Sequence, residues 1–177
     1  MRYNPEIHHR RSIRIKEYDY SQPGSYFITL CTQNRECWFG DVTDGKMRLN
    51  AYGQIVAECW QWLSEQYAHA NMDEWIVMPN HLHGIIAITA DGRGGSRTAP
   101  TGPVKQKPLG RLIGAFKTVS TKRINQMRAS AGVPVWQRNY YEHIIRNEED
   151  LNKIRQYILE NPMKWAEDTE NPNTVGV

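Results

Sequence analysis

The stretch Glu74-Trp75-Ile76-Val77-Met78-Pro79-Asn80-His81-Leu82-His83-Gly84-Ile85-Ile86-Ala87-Ile88-Thr89 decides the fold of this chain. Glu74 to Met78 predicts a strand, Pro79-Asn80 a break, and Leu82 to Thr89 a second strand. Apolar runs of this length bounded by turn residues suit strands packed on both faces. Side chains alternate along a strand, so His81 and His83 leave one side of the sheet while Leu82 anchors the other. Two imidazoles on one face make half of a metal site. Standing alone, the pair is equally well explained as two surface histidines at a strand start.

Upstream, Ser25 to Thr32 is rich in aromatic and β-branched residues and predicts the first strand after a Pro23-Gly24 turn. Asp44-Gly45 marks a hairpin turn into the short segment Lys46 to Leu49. Asn50 is placed to cap a helix on which Tyr52, Ile55, Val56, Cys59, Trp60, Leu63 and Tyr67 follow amphipathic spacing, an apolar stripe that reads as core. Downstream, residues 91–108 are rich in Gly, Pro, Ser and Thr and predict a flexible connection. Leu109, Leu112, Ile113, Phe116, Val119, Ile124 and Met127 then line one side of a helix. Val135 to Ile145 reads as extended, and Glu148-Glu149-Asp150 opens a last helix that ends near Asn161, before Pro162. Residues 1–22 read as a basic arm and 166–177 as a frayed tail. Strand, helix, strand pair, helix, strand, helix is the order of an α/β (α+β) fold, with helices on a mainly antiparallel sheet. The simplest such fold is a ferredoxin-like split β-α-β, and 177 residues suit one domain.

Three cysteines without a CxxC pair argue against a disulfide framework and a cysteine-type zinc site, and for a reducing cytoplasm. No apolar run approaches the ~20 residues of a membrane span. The net charge is only +3, but ten Lys/Arg against one acid fall between Asp91 and Tyr141. Such a segment on an otherwise acidic chain fits a nucleic-acid backbone, as it fits a solvated helix face. Its candidate phosphate contacts are Lys105, Lys107, Arg111, Lys117, Lys122, Arg123 and Arg138, joined by Arg10, Arg11 and Arg14 of the arm. Trp136, Tyr140 and Tyr141 could stack on bases, although such residues more often cover the sheet.

On the last helix Tyr157 and Asn161 are four apart and share a face, with Lys153 one turn earlier. A phenol near its ordinary pKa of ~10 is a weak nucleophile and needs a metal or base.

The pattern His-hydrophobe-His at His81-Leu82-His83, with a tyrosine on a late helix, resembles the single-tyrosine HUH transposases and nickases. More narrowly, RRSIRIKEYDYSQPGSYFITL (10–30), WIVMPNHLHGII (75–86), VWQRNYYEHIIRNEEDL (135–151) and IRQYILENPMKW (154–165) together resemble the REP-associated tyrosine transposases. This resemblance covers about residues 10 to 165. It implies metal-dependent cleavage and joining of single-stranded DNA at hairpin or palindromic sequences, through a 5′-phosphotyrosine intermediate. The family's nucleophile falls on Tyr157, its His pair on His81 and His83, and its third metal ligand on Asn161, where relatives outside this branch often carry Gln. It implies Mg²⁺ or Mn²⁺ as cofactor, a cytoplasmic, nucleoid-associated protein of a bacterium, and a monomer rather than a homodimer. Tyr140 and Tyr141 are rival nucleophiles by type, and Glu142, His143 and Lys153 are candidates to support the ligands from behind. The competing classes are a domesticated, non-catalytic DNA- or RNA-hairpin-binding regulator and a zinc hydrolase. The latter lacks HExxH or another carboxylate-assisted signature.

Overall fold

The computed structural model describes residues 19, 20, 22–90 and 107–174. Strand β1 (Gly24–Cys31) is followed by a hairpin of β2 (Gly40–Thr43) and β3 (Lys46–Leu49), helix α1 (Ala51–Gln66), β4 (Ala70–Val77), β5 (His81–Ile88), α2 (Leu109–Met127), β6 (Tyr141–Ile145) and α3 (Glu148–Glu160). Four strands make one antiparallel sheet in the order β4-β5-β1-β6, and β2-β3 forms a separate ribbon. Each β-α-β unit is split by a strand of the other, as expected for the ferredoxin-like fold. The alternation of β1 explains the layering. Tyr26, Ile28 and Leu30 enter a large core with α1 and α2, while Phe27 packs with Ile85 against Ile158 of α3 on the opposite face.

Local signals act as the sequence predicts. The Asn50 side chain accepts from the Tyr52 and Gly53 amides at 2.9 and 3.0 Å. Asp44 and Gly45 both take positive φ, as a two-residue turn between twisted strands requires. On β5, Gly84 faces α1, where a Cβ would come within 2.5 Å of Trp60 Cζ2, so only glycine lets the indole lie on the strand.

Two expectations change. Of residues 135–145 only Tyr141–Ile145 joins the sheet, because Val135 and Trp136 are buried in the large core and Trp136 makes a single bridge to Thr32. Residues 166–174 are anchored rather than frayed. A 3₁₀ segment (Asn161–Glu167) continues α3, and Asp168 to Thr174 folds back with Asn171 buried. The Asn80 amide holds the Glu170 carbonyl at 2.6 Å, and Arg35 pairs with the Glu170 carboxylate at 3.3 Å. The expected arm residues Arg10, Arg11 and Arg14, and nearly all of the expected connection at 91–108, lie outside the described residues. Among the described residues no helix is long and apolar enough to cross a membrane.

Candidate metal and nucleophile site

Strand parity puts His81 and His83 on the α3 face, and both rings are buried, with centroids 4.4 Å apart. Asn80 sets the state of the first ring. Its amide nitrogen donates to the carbonyls of Arg35 and Glu170, so its oxygen faces His81 Nδ1 at 2.9 Å. The His81 proton therefore sits on Nδ1, and Nε2 keeps a free lone pair. His83 Nδ1 meets the Thr29 hydroxyl at 2.9 Å, and His83 Nε2 meets the Tyr157 hydroxyl at 3.2 Å.

The chain beyond α3 closes the other side. Asp168 Oδ2 lies 4.0 Å from His81 Nε2 and accepts from Asn161 Nδ2 at 3.2 Å. One ligand atom each from His81, His83 and Asp168 fall within 4.8 Å of one another. His81 Nε2 and Asn161 Oδ1 are both buried without a hydrogen-bond partner. A buried acceptor left unmet costs about 1–3 kcal/mol, and two beside a carboxylate are the donor set that a divalent cation satisfies. The residues fit a metal.

Burial pushes the His81 imidazole down to about 4, against the pull of Asp168, Glu170 and the Asn161 amide. Burial, then the neighbouring His81, hold His83 well below the ordinary range. Both rings are neutral near pH 7, as ligation requires. Tyr157 is held above its ordinary value by burial and then by Asp168 and Glu170.

No protein-family model matches the chain. It is 41% identical over 174 residues to an uncharacterized protein of Haemophilus influenzae, across 94% of this chain and 96% of that one. A second H. influenzae protein, provisionally named a REP-associated tyrosine transposase, is 25% identical over 156 residues, across 82% of this chain and 74% of that one. The fold matches a solved REP-associated tyrosine transposase bound to a REP hairpin with a TM-score of 0.60 at 20% identity, covering 88% of this chain and 74% of that one. The chain thus resembles the REP-associated tyrosine transposases, in fold and, over most of its length, in sequence.

The structure sorts the residues singled out from sequence. His81, His83, Tyr157 and Asn161 come together. Asp168 was missed. It lies seven positions beyond Asn161, and the 3₁₀ turn through Pro162 that returns it to His81 has no periodic signature. The only available hint was Asn-Pro itself, since a proline there ends the α-helix without ending the turn.

The supporting candidates fare less well. Glu142 pairs with Ile28 and so belongs to the α1/α2 face, away from the histidines. His143 is on the site's face but binds Asp150 at 2.9 Å, and Lys153 binds Glu149 at 2.6 Å on the exposed side of α3. The basic residues expected to follow a DNA backbone are divided between contacts within the protein and solvent. α2 packs behind the sheet, in the layer opposite the His pair. Lys117 donates to the carbonyls of Gln137 and Asn139 at 2.8 and 3.1 Å, and burial pushes its ammonium down to about 8, so it ties a loop. Arg123 is paired with Glu58 of α1, and Lys107 lies over the Tyr67 ring at 4.7 Å. Arg111, Lys122 and Arg138 remain exposed, while Lys105 lies outside the described residues. Of the stacking candidates, Trp136 is buried and donates to Ser120 Oγ, and Tyr140 lies under Lys117.

Proposed function

We propose that this chain cleaves and rejoins single-stranded DNA beside a hairpin, with Tyr157 as nucleophile and a Mg²⁺ or Mn²⁺ ion held by His81, His83, Asp168 and Asn161. The observation that carries this reading is the pair of unpartnered buried acceptors, His81 Nε2 and Asn161 Oδ1, around Asp168, with the Tyr157 hydroxyl one hydrogen bond from His83. The hairpin comes from the solved relative, which is bound to one. Bound among these groups, a divalent cation would polarise a phosphodiester as a Lewis acid and offset the negative field that keeps the phenol protonated.

The chain's own residues do the rest. Asn80 and Thr29 hold the two imidazoles in place from behind. Asp168 orients Asn161 and adds a negative charge that two imidazoles and an amide lack, which favours a hard cation. Tyr157, 44% exposed, keeps its hydroxyl beside His83 at the edge of this cluster. Its oxygen bonds to phosphorus, the bond to the 3′-oxygen breaks, and that oxygen takes up a proton as the phenol loses one. Attack by another 3′-hydroxyl reverses the step and joins strands without ATP. All these groups come from one chain, which supports action as a monomer.

The test incubates the protein and Mn²⁺ with labelled single strands carrying candidate palindromes, beside Tyr157→Phe and His81→Ala. A covalent adduct on a denaturing gel, lost in both variants, is expected. Hairpin binding without an adduct across a broad target library would favour a non-catalytic binder, and an adduct persisting in Tyr157→Phe would move the nucleophile elsewhere.

A further inference from the structure

We propose that Tyr141 is a stacking platform for a nucleobase of the single strand whose phosphodiester faces Tyr157; this rests on the reading of the site given above. In the sheet His83 pairs with Thr29 and Thr29 with Tyr141, so all three share the α3 face in one row across β5, β1 and β6. Adjacent strands lie ~4.8 Å apart, which puts the Tyr141 backbone about 10 Å from that of His83. The Tyr141 ring meets the Phe27 ring edge-on at 6.2 Å. The Phe27 ring in turn meets Tyr157 at 6.1 Å and His83 at 5.4 Å. Phe27 is buried, so it forms the floor between two exposed phenols.

The helix above leaves this floor open at one end. α3 crosses from β6, where Asp150 binds His143, to β4, where Arg155 binds Asp73. Tyr141, at the start of β6, stays 52% exposed on the outermost strand of the sheet. An aromatic face kept in water beside a phosphodiester-cleaving group, on a rigid strand, suits the π-face that every base carries. The other two stacking candidates are occupied inside the protein, which leaves this position to receive the strand.

The test uses the full chain carrying Tyr157→Phe with EDTA, so that binding is read without chemistry. It is irradiated with single-stranded oligonucleotides containing 5-iododeoxyuridine, and cross-linked peptides are mapped. A cross-link at Tyr141 is expected. In the same background Tyr141→Ala should weaken single-strand binding about 5- to 150-fold, the range of one base–aromatic stack, and Tyr141→Phe should retain most of it. With strands that carry an abasic position at the cross-linked base, the affinity gap between Tyr141→Ala and its parent should narrow. Unchanged affinity in Tyr141→Ala, cross-links confined to other residues, or no single-strand binding at all would overturn the inference. Adduct formation is scored separately, in protein with Tyr157 intact. An adduct together with unchanged affinity in Tyr141→Ala sinks only the stacking site, and stacking without an adduct sinks only the chemistry.

Discussion

The Tyr157 hydroxyl lies 3.2 Å from His83 Nε2, although 74 positions separate the two residues in sequence. The contact depends on α3 lying over the one face of β5 that carries both histidines. Removing only the hydroxyl should therefore separate chemistry from fold. Tyr157→Phe keeps the ring contacts with Phe27 and His83 and loses one partly exposed hydrogen bond, worth about 0.5–1.5 kcal/mol. The covalent adduct should vanish while thermal unfolding shifts by only a few degrees. A collapse of the melting transition would mean that the hydroxyl is structural.

Asp168 supplies the negative charge in the donor set. Asp168→Asn preserves size and removes that charge, so Mn²⁺ affinity should fall by at least about 10- to 100-fold, the loss that follows removal of a group that merely orients metal ligands. Isothermal titration of the two proteins at equal pH reads this directly. Equal affinities would remove Asp168 from the site.

The buried histidines give the metal-free protein an acid-sensitive window. His81 titrates at about 4 in the fold against 6.5 for a free imidazole, so in between the unfolded chain binds a proton that the folded one refuses. The stability linked to this imidazole is therefore fully present above about pH 6.5 and is lost as the pH falls toward 4, and His83 acts in the same direction. Denaturation midpoints should drop between pH 7 and pH 5. A His81→Gln, His83→Gln double variant should lose most of that slope, and an unchanged slope would place the acid sensitivity in other groups.

Gly84 has a packing role on the far face of the same strand. Gly84→Ala drives a methyl into the Trp60 ring and should cost about 1–3 kcal/mol, seen as a lower urea midpoint. Trimming the ring with Trp60→Phe in the Gly84→Ala background should recover part of the loss. Additive costs would show that the two positions do not meet.

Much of this molecule could be read locally. The Asn50 cap, the Asp44-Gly45 turn and the parity of His81 and His83 each depend on a few neighbouring residues, and each is found where the sequence places it. The face that α2 turns to solvent was equally legible. Which layer that face belongs to was not, because it depends on how the crossovers wrap the sheet. Lys117 and Arg123 look free on a helical projection and are engaged by a loop and by α1 only in three dimensions. The polar composition after Trp165 suggested fraying, since the ties of Glu170 to Asn80 and Arg35 span most of the chain.

The two faces of the sheet are covered very unequally. α1 and α2 bury one face with a broad set of large side chains, whereas α3 packs its Ile158 against Phe27 and Ile85 with a few half-covered neighbours. Elements held by fewer buried contacts open at lower free energy. Amide hydrogens of α3 should therefore exchange well before those of β1 and β5. Opening of α3 alone carries Tyr157 away from the histidines, so warming should silence the strand cleavage proposed for this site at a temperature where the sheet is still intact.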